Sequence, residues 1–285
     1  MVTSYILVSI AVVMYGFMFF TSSEYQKNCG NSLRAALVYS LCTYTTGFVI
    51  LFIINKFRFE LTVFSVLISL AAAVNLLIYS FCSMKSLGKI NLSLYSVFAM
   101  LGGMMLPSII GILVYGEELT VGKLICYSIL IVALFMTVEK GGAKGGYGYY
   151  AGIFICNGMS GVFAKIYESA PYNKASESGY SVQIALWVIV LSSILLAFNK
   201  GEKIKINKKA IACTVGGGLL SNVGNLLQLI GLADMPASIQ FPFVTGGTMI
   251  VSTVICAFTP NKPKKKEIAS VIVSFAGIMV LCLFG

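Results

Sequence analysis

Residues 139–148 read E-K-G-G-A-K-G-G-Y-G, the most glycine-rich and least apolar break near the middle of the 285-residue chain. Glycine is entropically costly inside a helix and charge is costly in hydrocarbon, so this stretch reads as a connection. On both sides, mostly apolar segments follow one another with short polar breaks, each near the roughly 20 residues that a helix needs to cross a bilayer. Five precede it, at 3–22, 33–54, 61–83, 90–115 and 121–138, and five follow, at 148–168, 180–198, 210–232, 236–258 and 267–284. Strands of a membrane barrel would be about ten residues long with alternating polarity. The expected fold class is therefore all-α integral membrane, with ten transmembrane helices. The expected domains are 1–140 and 148–285, joined by the Gly/Lys-rich connection 141–147.

Composition supports a lipid solvent. Hydrophobic residues make up 58% and charged residues 11%, against roughly 45–50% and 25% in soluble domains. A bilayer accepts apolar side chains on the outside of a fold, where water does not. The net charge of +10 comes from lysines between apolar runs, with the densest clusters at 200–209 and 262–267 and no aromatics interleaved. Membrane-surface lysine explains that pattern without a nucleic-acid partner. The first apolar stretch, Tyr5 to Phe20, has no charged segment before it and no small-residue cleavage site after it, so it reads as a retained helix.

The chain has no histidine, and its eight cysteines are scattered singly. The commonest general base and metal ligand are thus missing, and no metal spacing or disulfide framework is visible. No catalytic residue, metal or cofactor is expected, and the chain is not read as an enzyme.

The halves align at a shift of 144 residues, which sets Gly102-Gly103 on Gly246-Gly247, Met105 on Met249, Ser108 on Ser252 and Ala133 on Gly277. A second match, V-N-L-L at 74–77 against G-N-L-L at 224–227, needs a shift of 150. Five helices per half make the second copy inverted in the membrane, a recurring device of secondary transporters.

Polar side chains at membrane depth are site candidates, because they need a partner or a cavity. In the eighth segment Ser221, Asn225 and Gln228 share one helical face, with Asn222 beside them. In the third, Asn75 and Tyr79 stand four apart, and Asn75 matches Asn225. A pseudo-symmetric pair of amides facing one cavity is the leading expectation, with interhelical hydrogen bonding as the structural alternative. Asn157 and Gln240 are further candidates, and Tyr15, Tyr95, Phe98, Trp187 and Phe241 could form aromatic walls. All ten carboxylates lie near segment ends, which disfavours proton coupling through a buried carboxylate. Glu24 and Glu168 fall at comparable ends of the first and sixth helices, on opposite faces if the repeat is inverted, and are gate candidates.

The run P-S-I-I-G-I-L-V-Y-G-E-E-L-T at 107–120, the run G-L-A-D-M-P-A-S-I-Q-F-P at 231–242 and the pair Tyr15-Gly16 carry a resemblance to the drug/metabolite transporter superfamily, in its ten-helix EamA-like form. Lys165 matches a commonly basic position of that family and joins the gate candidates. The chain departs where T-P-N-K-P-K-K-K at 259–266 replaces a second G-E-x-L-T, and where Cys126 and Ser270 replace glycines. The resemblance implies a central solute cavity lined by helices one to four and six to nine, with the fifth and tenth peripheral.

It also implies an N-terminus inside the cell, and this conflicts with charge. Only Lys56, Arg58, Lys123, Lys165 and Lys174 of the 20 basic residues would then be cytoplasmic, against the positive-inside rule. Inverted orientation, a miscounted helix, or translocation of the basic loops would each resolve it. The expected function is a secondary transporter of a small polar or zwitterionic organic solute, working by alternating access as one half rocks against the other. It is expected to be a monomer or homodimer in a bacterial-type plasma membrane. The alternatives are a multidrug or cation exporter of the same family, and a membrane-embedded enzyme or lipid-handling protein.

Overall fold

A computed structural model describes residues 2–30, 32–87, 92–136, 147–199, 204, 206–258 and 265–284, except the side chains at 83–87, 92–97, 147, 149, 256 and 267. Among these residues the chain is all-helical: α1 Val2–Cys29, α2 Leu33–Ile54, α3 Val63–Leu87, α4 Leu92–Tyr115, α5 Val121–Met136, α6 Tyr147–Ser169, α7 Glu177–Phe198, α8 Lys208–Gly231, α9 Ala237–Ala257 and α10 Lys265–Phe284. Seven of them, α1 to α4 and α7 to α9, are long and apolar enough to cross a membrane. The chain is thus a multi-pass helical membrane protein by length and composition, but ten spans are not reached on those criteria alone. α5 and the apolar part of α10 are shorter, and α6 carries Asn157, Ser160, Lys165 and Glu168. The polar face of α6 packs against α3 and α4 instead of lipid.

Solvent preference is written on the helix faces. α1 turns Ile6, Ile10, Val13, Phe17 and Phe20 outward at alternating steps of four and three, and buries Val8, Ala11, Val12 and Tyr15. An apolar stripe on the outside is stable only against lipid or another protein. α2, α7 and α8 begin at Ser32, Ser176 and Asn207, whose side chains accept hydrogen bonds from the first-turn amides of Ala35, Gly179 and Ala210. α1 continues past the apolar stretch to Cys29, because Tyr25 is buried against Ala35 and donates to its carbonyl at 2.9 Å.

Long-range contacts fix which helix ends lie together. Ser4 donates to Asp234 at 2.9 Å, Ser176 Oγ donates to Glu60 at 2.9 Å, and Lys165 pairs with Glu117 at 2.7 Å. These gather the start of α1, the α2–α3 turn, the end of α4, the end of α6 and the α8–α9 turn at one end of the bundle, here the Glu117 end. At the other, Lys209 meets Glu24 at 2.7 Å and Arg34 donates to the Asn199 carbonyl at 2.7 Å. α1 and α6 therefore run in opposite directions.

Packing does not follow sequence neighbourhood. α1, α2, α8 and α9 form one bundle through the α1–α8, α1–α9 and α2–α8 contacts. α6, α7, α3 and α4 form a second through α6–α3, α6–α4 and α7–α3. The bundles meet where α2 crosses α7 and α4 crosses α9, while α5 and α10 pair with each other. Exchanging α1–α5 for α6–α10 carries this set of pairings onto itself. Close approach depends on small residues: a Cβ on Gly102 of α4 would collide with the Phe154 backbone of α6, and one on Gly218 of α8 would stand 2.6 Å from the Thr43 carbonyl of α2.

Candidate functional site

A cavity of about 310 Å³ lies at mid-bundle. Its walls come from α1 to α4, α6 to α9 and the residue after α8, with none from α5 or α10. Tyr15, Phe19, Tyr44, Tyr180 and Phe241 supply aromatic surface, and Asn157, Asn222, Asn225 and Gln228 supply amides. Ser160, Ser181, Thr245 and Thr248 add hydroxyls, and among the described residues no charged side chain reaches the wall.

The α1–α8 contact places the central group. Tyr15 Oη lies 2.6 Å from Asn225 Oδ1 and 2.7 Å from Gln228 Oε1. A phenol carries one proton and donates once, so one amide must turn its NH₂ toward the phenol oxygen. The three side chains then form a closed chain of donors and acceptors facing the cavity. Asn222 is tied down on the same helix, donating to the Gly218 carbonyl at 2.8 Å and to the Thr43 carbonyl of α2 at 3.3 Å. Across the cavity Asn157 donates to the Ala99 carbonyl at 2.6 Å and still lines the wall.

Other sequence candidates lie elsewhere. Asn75 does not line the cavity: its amide donates to the Cys156 carbonyl at 2.8 Å and to Ser160 Oγ at 3.0 Å, joining α3 to α6. The expected pair of amides is thus split, with Asn225 on the wall and Asn75 between helices. Ser221 and Tyr79 are also off the wall, Tyr79 packing with Ala99 and Ile153. Gln240 is fully buried and donates to the Gln228 carbonyl, bracing α9 on the end of α8. The side chain of Tyr95 lies outside the described residues.

The gate candidates sit at the two ends. Glu24 receives Lys27 and Lys209, both at 2.7 Å and both largely exposed. Glu168 meets Lys174 at 3.8 Å. Lys165 is buried and pairs with Glu117, whose side chain is 9% exposed. Sequence reasoning passed over Glu117 except as part of the G-E-x-L-T run. Its carboxylate accepts the amide N–H groups of Ala237 and Ser238 at 2.9 and 2.8 Å, capping α9, whose own entry M-P-A-S offers no cap. Burial pushes the Glu117 carboxyl up, but the hydrogen bonds from Lys165, Ser238 and Ala237 outweigh it and hold the group below its ordinary value.

The ends of the cavity differ. Toward the Glu117 end, Tyr167, Tyr180, Leu229, Leu232, Ala237 and Phe241 form one cluster that draws α6 to α9 together, with Tyr167 and Tyr180 stacked at 3.8 Å between centroids. Toward the Glu24 end, the described side chains form two separate clusters, one on α1, α2 and α8 and one on α3, α4 and α6. The bundles are joined through the first cluster at the Glu117 end, and at the Glu24 end Arg34 of α2 and the Asn199 carbonyl after α7 tie them.

Thr248 Oγ1 is buried on the cavity wall and has no hydrogen-bond partner among the described residues. A buried hydroxyl without a partner is costly, and a bound solute would relieve it.

No family model and no curated protein matches the chain. A solved structure described as the crystal structure of a protein superposes with a TM-score of 0.80, over 98% of this chain and 96% of the other, at 12% sequence identity. That likeness is one of fold.

Proposed function

We infer that this chain is a secondary transporter of a small, polar, uncharged or zwitterionic organic solute, a distant member of the drug/metabolite transporter superfamily in its EamA-like form, in a bacterial-type plasma membrane. The observation that carries the reading is the mid-bundle cavity, walled by amides, hydroxyls and aromatics without a charge. Its volume of about 310 Å³ is near the lower bound of small-molecule sites.

Exchange of pairings between α1–α5 and α6–α10, with α1 antiparallel to α6, supports an inverted repeat. The moving bodies are then the two four-helix bundles, because each mixes helices of both sequence halves and the halves themselves interleave. Alternating access is their rocking about the α2–α7 and α4–α9 crossings. The cluster around Tyr167 and Tyr180 closes the cavity toward the Glu117 end.

A multidrug or cation exporter is the second reading, favoured by the aromatic wall of Tyr15, Tyr44, Tyr180, Phe19 and Phe241. Thermal unfolding of detergent-purified protein against neutral amino acids, nucleosides and quaternary amines separates the two. A dose-dependent rise with the first two classes, followed by saturable counterflow in liposomes, is the expected result. A rise with quaternary amines alone favours the exporter, and flux that never saturates argues against a carrier.

A further inference from the structure

The two ends of the bundle carry very different charge. Assigning each charged residue to the described helix ends that its segment joins, the Glu117 end holds five of the 20 basic residues against six of the ten acidic ones. The Glu24 end holds the other fifteen against Glu24, Glu139, Glu202 and Glu267.

The basic residues are also used differently. At the Glu117 end, Lys123 donates to the Glu118 carbonyl, Lys165 pairs with Glu117, and Lys174 donates to the Tyr167 carbonyl at 3.2 Å. Their charge is taken up by the protein's own oxygens, and only Lys56 and Arg58 stand exposed. At the Glu24 end Lys27, Lys208, Lys209, Lys265 and Lys266 are exposed. Lys27 and Lys209 share the one carboxylate of Glu24. Fifteen basic residues against four carboxylates leave this end with an excess of eleven positive charges.

We propose that the chain lies with both ends of its polypeptide outside and the Glu24 end at the cytoplasmic face, where its lysines rest against anionic phospholipid headgroups. Basic residues resist translocation, and the cytoplasmic leaflet carries a negative surface potential that attracts them. The described contacts place successive helices in alternating directions, which argues against one rival explanation, a miscounted helix. Translocation regardless of charge applies to loops beyond about 60 residues, whereas the breaks at this end, such as 30–32, 137–146 and 199–207, are short. The inference rests on the multi-pass membrane reading, stands without transport, and reverses the orientation that the family resemblance implies. Joined to the transport reading, it makes the end closed by the cluster of Tyr167 and Tyr180 the outer one.

The test uses a cysteine-free full chain, in which the eight native cysteines are replaced, carrying Lys56→Cys or Lys266→Cys. In spheroplasts a membrane-impermeant maleimide is expected to label K56C at once and K266C only after lysis. The reverse pattern, or equal labelling of both, overturns the proposal. If the cysteine-free chain does not accumulate, the native chain fused at its C-terminus to alkaline phosphatase or to a green fluorescent protein decides the same question. Active phosphatase with a dark fluorophore is expected, and a bright fluorophore with inactive phosphatase overturns it. The headgroup contact is read separately: phosphatidylglycerol vesicles should raise the unfolding temperature over phosphatidylcholine alone, with salt removing the difference. Equal temperatures in the two lipids overturn that part.

Discussion

The hydroxyl of Tyr15 stands 2.6 Å from the side-chain carbonyl of Asn225, joining α1 to α8 across 210 residues of sequence. The matching amide of the first half, Asn75, meets Ser160 of α6 at 3.0 Å. Each half thus ties one amide to the leading helix of the other, but a phenol leaves its amide on the cavity wall and a serine draws its amide off it.

Removing the phenol hydroxyl by Tyr15→Phe leaves Asn225 and Gln228 with one partner fewer beside the solute. A net hydrogen bond is worth about 1 kcal/mol, so solute affinity should fall by about fivefold with the fold intact. Titration of the thermal shift with ligand measures it, and unchanged affinity removes the trio from the site.

Asn225→Leu and Asn75→Leu should part company. The first should weaken solute binding with little change in unfolding temperature. The second breaks an α3–α6 tie and should cost about 1–2 kcal/mol of stability. Unfolding curves with and without ligand separate the effects, and equal binding loss in both variants would restore Asn75 to the site.

Glu117 makes a pH prediction. Its carboxyl sits below the ordinary value of 4.5 in the folded protein. Stability from this group is therefore fully present above the unfolded value and lost as pH falls through the folded one. The native chain should weaken progressively below about pH 5. Glu117→Gln should lack that component and lose on the order of 3 kcal/mol near neutrality, since Lys165 is left buried without its partner. Unfolding temperature against pH for both proteins is the measurement.

Thr248→Val removes a buried hydroxyl that has no partner among the described residues, so stability should hold or rise by up to about 1 kcal/mol. Binding of a hydrogen-bonding solute should weaken. Loss of stability would mean that the hydroxyl is satisfied within the protein.

Gly102→Ala sets a Cβ against the Phe154 backbone, which cannot rotate away as a side chain can. A loss of about 1–3 kcal/mol is expected. Gly148→Ala, with nothing within 4 Å of the added carbon, should be neutral or stabilising, and the two unfolding temperatures check the contrast.

Much of the helical frame was legible in the sequence. α2 spans the expected 33–54, and most other ends shift by a few residues. The end of α1 was not legible: the apolar run stops at 22, and the helix goes on to Cys29 because Tyr25 is buried on Ala35, ten positions along the chain. Ser221, Asn225 and Gln228 were legible as one helical face with Asn222 beside it; Asn222, Asn225 and Gln228 line the cavity and Ser221 does not. The capping role of Glu117 was not, because its partners are 120 and 121 residues away. Gln240 and Asn75 looked like cavity residues for the same reason that Asn225 did, since an amide in an apolar run requires a partner without naming it.

Sequence alone determined that this chain is helical and lives in lipid, because apolar length and the scarcity of charge are properties of composition along one dimension. Which helices touch, which amide meets solute and which meets a neighbouring carbonyl, and which carboxylate caps α9 were decided only by tertiary structure. Those outcomes depend on pairing across more than a hundred residues, where partners are chosen by the fit of small residues such as Gly102 and Gly218 rather than by local periodicity.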